Sequence, residues 1–230
     1  MGLCLWPSAF PIQDREYSVL ELMGKEDIPL FGEGINLREK AHDAFVKMKK
    51  AAYSDGVDIK IVSSYRDFYR QRSIWERKYS RYTEEDGMAP LDAIDRIIEY
   101  STIPGTSRHH WGTDIDIVDG YRKVEGDLLD PVKFEEGGPY WDLYQWMKKN
   151  AADYGFYLVY TDDPGRRGFK YEPWHYSYAP ISRPMLKEFR SKNIQKLLLE
   201  DEFDGCEHFT NGFVRSYIRD NILGINPILL

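Results

Sequence analysis

Cysteine is nearly absent: the 230 residues contain two, Cys4 and Cys206. Two cysteines cannot build a disulfide scaffold, and neither has metal-ligand spacing, which leaves one bridge between the chain ends or two free thiols. No apolar run approaches the roughly 18 residues of a membrane-crossing helix. The opening Met-Gly-Leu-Cys-Leu-Trp-Pro lacks a basic stretch followed by an apolar core, so no signal peptide is visible. Trp6 stands where a myristoylation signal needs Ser or Thr. Positive charge is outnumbered, 31 Lys and Arg against 38 Asp and Glu: the net charge is −7 and no basic stripe stands out, which argues against a nucleic-acid partner. The runs Lys47-Met48-Lys49-Lys50 and Arg166-Arg167 read as solvated faces. What is present, 42% hydrophobic and 30% charged residues, excludes a disordered chain and allows one sizeable core in one or at most two domains.

The pattern of residues predicts an α+β domain with a small, largely antiparallel sheet flanked by helices. Residues 1–35 carry Pro and Gly without periodicity and read as an irregular lead-in. Leu37, Ala41, Ala44, Phe45, Met48 and Ala52 recur at helical steps from Asn36 to Tyr53, with Asn36 as N-cap. Residues 57–62 alternate as a strand. Residues 67–79 and 91–100 read as helices, 114–118 as a strand, 140–154 as a helix closed by Gly155 and 156–160 as a strand. Residues 170–178 read as a strand or extended segment. Two further helical stretches, about 185–200 and 210–222, follow Pro184. The division is thus a lead-in (1–35), a central domain (36–182) and a helical C-terminal extension packed on it (183–230).

Histidine is also scarce, five in all, and three fall in two short stretches: His109 and His110 in Ser107-Arg-His-His-Trp-Gly-Thr-Asp-Ile-Asp116, and His175 in Glu172-Pro-Trp-His. These gather imidazoles and carboxylates where a divalent metal and a general base could meet. Zinc takes neutral His nitrogen and Asp oxygen, and a catalytic zinc keeps three protein ligands with the fourth position open; a nearby Glu can act as base. If 109–116 were one regular strand, His110, Asp114 and Asp116 would share a face; a bulge at Gly112 would bring His109 round instead. Periodicity leaves His109 and His110 as alternatives. Pro173 keeps Glu172 out of a helix, so an extended or turning segment must bring it to His175. Each piece alone also has an ordinary reading: a packed His, a turn Asp, a surface salt bridge from Arg66 to Asp67 or Glu76.

The spaced residues Ser107-x-His109-x-x-Gly112-x-x-x-Asp116 and Glu172-x-Trp174-His175 resemble the paired signature of VanY-type D-alanyl-D-alanine carboxypeptidases, of the superfamily that includes lysostaphin-type peptidases and the hedgehog signalling domain. Ser63-Ser-Tyr-Arg-Asp-Phe-Tyr-Arg-Gln71 is similar to a third family block, and Tyr154-Gly155-Phe156 agrees. The likeness covers roughly residues 36–182. It implies a hedgehog/D-Ala-D-Ala peptidase-like fold, His109, Asp116 and His175 as zinc ligands, and Glu172 as general base. Arg66 would hold substrate oxygen, with Ser107 and Gln71 as lesser substrate contacts. The chain departs from its relatives at Arg108 and His110, where many carry Glu or an amide, and at Asp114, where a small or apolar residue is usual.

The resemblance implies a zinc D,D-carboxypeptidase that trims peptidoglycan stem peptides in the periplasm or elsewhere outside the cytoplasm. Alternatives on the same scaffold are an L,D-carboxypeptidase, a D,D-dipeptidase and a wall endopeptidase. A non-catalytic zinc-containing module that binds wall peptide is the alternative of another class. Retention of Glu172, which a binding module does not need, speaks for an enzyme.

Overall fold

The computed structural model describes residues 16–230. Cys4 and the other features read in residues 1–15 lie outside the described residues; Cys206 is half-buried. Four strands, β1 (Ile59–Ser63), β2 (Asp114–Asp119), β3 (Phe156–Leu158) and β4 (His175–Tyr178), form one sheet in the order β1-β2-β4-β3, every pairing antiparallel. Around it lie α1 (Val19–Leu22), α2 (Glu39–Ser54), α3 (Phe68–Ser80), α4 (Pro90–Ile97), α5 (Trp141–Asn150), α6 (Ala179–Ser191), α7 (Ile194–Glu200) and α8 (Asn211–Tyr217).

Several boundaries differ from the expected ones. Helix α2 starts after Arg38, because Asn36 sits in a left-handed turn (φ 51°) beside the Phe31–Leu37 bridge. The expected 140–154 helix stops at Asn150 and tightens into a 3₁₀ turn that Gly155 ends at φ 79°. Pairing in the 170–178 segment begins only at His175. Helix α6 begins at Ala179 and runs through Pro184. Proline there removes one intrahelical bond, but Ser182, Met185, Leu186 and Phe189 are buried on the same helix and hold it.

The sheet's strand alternation sorts the chemistry. Ile115, Ile117, Tyr176 and Tyr178 belong to a core with Phe45 and Met48 of α2 and Leu143 and Met147 of α5. Successive side chains on a strand point to opposite faces, so Asp114, Asp116, His175 and Ser177 project together from the other face. Strand β2 is buried on both faces; its polar face is therefore covered by protein. The covering layer is a second core, in which Trp75, Trp111 and Phe189 meet Phe203, Phe209, Val214, Tyr217 and Leu229 from the last thirty residues.

Those last residues also reach the loop ahead of the His109 segment. The Tyr217 hydroxyl accepts from the Ile103 amide at 3.0 Å and shares a 2.8 Å hydrogen bond with Thr106 Oγ1. Tyr217→Phe leaves that buried amide without its partner, an expected cost of about 1–3 kcal/mol. Thermal unfolding checks this, and an unchanged melting temperature would show that α8 does not support the loop.

Candidate metal centre

Ser107 to Gly112 does not form the strand that the parity argument assumed. Arg108–Trp111 is a 3₁₀ turn capped by Ser107 Oγ, which accepts from the His109 amide at 3.3 Å, and Gly112 ends it at φ 64°, a conformation open chiefly to glycine. A 3₁₀ turn sends adjacent side chains about 120° apart, so His109 and His110 diverge.

His110 turns into the fold. Its Nδ1–H donates to the Arg66 carbonyl at 2.6 Å and its Nε2 accepts from the Gly105 amide at 3.2 Å. Burial pushes its pKa down to about 3, so it is a neutral, fully used core histidine. His109 turns toward the sheet. Its Nδ1–H donates to the Ser64 carbonyl at 2.7 Å, which can only accept, so Nε2 carries the lone pair. That Nε2 is buried, has no hydrogen-bond partner, and lies 3.3 Å from Asp116 Oδ2.

Asp116 and His175 are cross-strand partners in the β2–β4 register. His175 Nδ1 lies 3.7 Å from Asp116 Oδ1, another buried atom with no hydrogen-bond partner. His109, Asp116 and His175 thus offer three donor atoms, all buried and all within 4.8 Å of one another. A tetrahedral zinc with ligands near 2.0–2.1 Å places them about 3.4 Å apart; His109 Nε2 lies 3.3 Å from one Asp116 oxygen and His175 Nδ1 3.7 Å from the other, close to that spacing. His109 Nε2 and Asp116 Oδ1 are buried with no hydrogen-bond partner, which fits a cation-binding role, since buried polar groups are otherwise paired.

Glu172 reaches this cluster through a tight turn at Pro173-Trp174. The His175 amide donates to the Glu172 carbonyl at 3.1 Å, and the Glu172 Oε2 lies 2.9 Å from His175 Nδ1. Burial raises the Glu172 carboxyl above the ordinary carboxylate range, against the opposing hydrogen bond from His175. For Asp116, burial acts upward too, but the neighbouring imidazoles and Arg66 outweigh it and hold the carboxyl low. Burial and Arg66 keep His109 below its ordinary value, Asp116 notwithstanding. His175 goes the other way: burial is outweighed by Asp116, Asp114 and Glu172, which raise it to about 10.

A cation taking His175 must therefore displace a proton. Its apparent affinity is expected to weaken as the pH falls, because the surrounding carboxylates favour the protonated ring. Chelator competition across about pH 7 to 9 measures that slope, and a flat profile would contradict it.

Arg66 lies at the edge of the cluster, its side chain 23% exposed and Nη2 3.9 Å from Asp116 Oδ2. Nη1 donates to Gln71 Oε1 at 3.0 Å, and Nε is buried with no partner. Gln71 spends its other end on the Thr102 carbonyl, 2.8 Å away. Both ends of the Gln71 amide thus bond within the protein, and the Ser107 Oγ accepts from the His109 amide. The ordinary reading of Arg66 as a salt-bridge partner of Asp67 or Glu76 does not hold: Asp67 caps α3 and Glu76 pairs with Arg72.

Asp114, which the sequence placed on the Asp116 face without a role, and three residues given no role there, Thr113, Tyr160 and Ser177, complete the site. The Asp114 carboxylate meets His175 Nε2 at 3.1 Å, Arg108 Nε at 2.9 Å, Ser177 Oγ at 2.9 Å and Thr113 Oγ1 at 2.6 Å. The Tyr160 ring stands edge-on to His175, centroids 5.1 Å apart. Strand parity with Asp116 and His175 was the available signal for Asp114 and Ser177; nothing local marked Tyr160.

Comparison with known proteins bears on the family and the fold. Residues 34–181 match the family described as VanY, D-alanyl-D-alanine carboxypeptidase. The D-alanyl-D-alanine carboxypeptidase of Enterococcus faecium is 27% identical over 211 residues, 88% of this chain and 57% of that protein. The chain therefore spans little more than half that relative's length. Among solved structures, VanYB in complex with D-alanine-D-alanine has a TM-score of 0.53 at 21% identity, covering 77% of this chain and 92% of the other. A mutant of the vancomycin-resistance D,D-pentapeptidase VanY from a VanB-type cassette, in complex with Zn(II), also has a TM-score of 0.53, at 24% identity, covering 75% and 90%. At these identities the likeness is one of fold, and the α+β architecture is the expected one.

Proposed function

The chain belongs to the VanY family of D-alanyl-D-alanine carboxypeptidases, and from that premise we propose that it is a zinc peptidase releasing the C-terminal D-alanine of peptidoglycan stem peptides. The observation that carries the proposal is the buried cluster His109, Asp116 and His175 with Glu172 against it. Two imidazole nitrogens and one carboxylate oxygen suit zinc. When bound there, zinc supplies Lewis acidity and makes water a nucleophile near neutral pH.

The protein's own groups do the rest. Glu172, buried at 2.9 Å from His175 with its carboxyl raised by that burial, is placed to take a proton from the attacking water and return it to the leaving amine. Arg66, with a buried unpaired Nε–H, is oriented by Gln71 to hold a substrate carboxylate or the developing oxyanion. Ser107 sets the turn that aims His109. No helix among the described residues is long and apolar enough to cross a membrane. The place of action in this reading is outside the cytoplasm, with the wall peptide.

The test concerns the substrate's free terminus. If Arg66 grips it, amidating the terminal carboxylate is expected to lower the wild-type kcat/KM by about 10- to 100-fold, the worth of one or two charge-assisted hydrogen bonds. Arg66→Lys is expected to lose rate on the free peptide and little further on the amidated one. Equal wild-type cleavage of both peptides would sink the carboxypeptidase reading and favour an endopeptidase.

A further inference from the structure

We infer that Asp114, clamped by Arg108, is a positioning residue that turns His175 so that its Nδ1 faces the metal site. The inference rests on the metal reading proposed above. Each Asp114 oxygen is used twice: Oδ1 by Arg108 Nε and His175 Nε2, Oδ2 by the Ser177 and Thr113 hydroxyls. Arg108 is itself held, its Nη2 donating to Ser177 Oγ at 2.7 Å and its guanidinium lying 4.8 Å from the Trp111 ring. Asp114 is fully buried and cannot swing away.

An imidazole whose Nε2–H is fixed on a carboxylate must present Nδ1 on its other side. That nitrogen lies 3.7 Å from the Asp116 oxygen that has no hydrogen-bond partner. The two histidines are thereby oriented through opposite nitrogens: the Ser64 carbonyl takes Nδ1 of His109 and leaves Nε2, whereas Asp114 takes Nε2 of His175 and turns Nδ1 toward Glu172 Oε2, 2.9 Å away, and Asp116 Oδ1. The two sequence departures Arg108 and Asp114 are consequently one device. The β2–β4 pairing at Asp114–Ser177 is a register of backbones and does not require a carboxylate. A buried ion pair is commonly replaceable by apolar residues without loss of stability, so stability alone does not account for this one.

The test compares the full chain with Asp114→Ala and with the double variant Arg108→Met/Asp114→Ala, which removes both buried charges. Zinc affinity is read by chelator competition and stability by thermal melting. Asp114→Ala is expected to bind zinc about 10- to 100-fold more weakly and to melt earlier, because Arg108 is left unpaired. The double variant is expected to regain melting temperature and stay weak for zinc. Wild-type zinc affinity in the double variant would overturn the inference, reducing Asp114 to a partner for Arg108.

A second readout does not need the metal. The His175 Nε2–H proton is expected as a slowly exchanging downfield resonance in the wild type, with and without zinc, and absent from both variants. If the wild type bound no zinc, the metal reading would fail while this resonance still decided the Asp114 contact. Its absence from the wild type would overturn the inference.

Discussion

Glu172→Gln is expected to keep the fold and the metal and to lose about two to four orders of magnitude in hydrolysis, the range of a general acid–base group. Glutamine matches glutamate in shape, so the turn at Pro173-Trp174 and the 5%-exposed pocket around residue 172 can be filled as before. What it lacks is a basic oxygen. Glu172 is not among the three donors that converge on one point, so zinc affinity is expected to change far less than rate. Metal content, circular dichroism and single-turnover hydrolysis on the same preparation separate these effects. Near-normal turnover in a folded, zinc-loaded Glu172→Gln protein would remove Glu172 from the mechanism.

The paired variants His109→Ala and His110→Ala are expected to fail in opposite ways. Structural zinc sites bind with about 10–16 kcal/mol over four ligands, or roughly 3 kcal/mol per ligand. Losing His109 is therefore expected to weaken zinc by about a hundredfold or more. His110→Ala leaves the metal donors in place but strands the Arg66 carbonyl and the Gly105 amide. Its expected effect is a loss of about 1–3 kcal/mol in stability with zinc binding retained. Retained zinc in His109→Ala together with lost zinc in His110→Ala would reverse the assignment of the two rings.

The ambiguity between those histidines shows where the sequence stopped being legible. Strand periodicity was a sound rule applied to a segment that is not a strand; a 3₁₀ turn closed by Gly112 decides the direction of each ring. Where hydrophobic spacing was dense the elements were readable: the α2 periodicity and the β1 alternation, like the helix read at 67–79 and the strand read at 114–118, fall within a few residues of the observed spans. Boundaries set by tertiary contact were not, as at Pro184, where packing of α6 overrides the local cost of proline. In the candidate site, the Ser-His-Asp and Glu-His blocks were visible because they carry unusual residue types at short spacing. Arg108 was visible only as an oddity, and Asp114 as an oddity on the Asp116 face. Their meaning depends on a contact between β2 and β4 that joins residues 61 positions apart, and no local pattern encodes it.

The central claim is that this buried cluster cleaves the last peptide bond of a stem peptide ending in two D-alanines. Incubation of the zinc-loaded protein with a defined muropeptide of that kind, followed by mass analysis of the products, tests it most directly. The expected result is loss of one alanine from the C-terminus, abolished by chelator and restored by zinc. An unchanged peptide, or fragments from an internal cut, would contradict it.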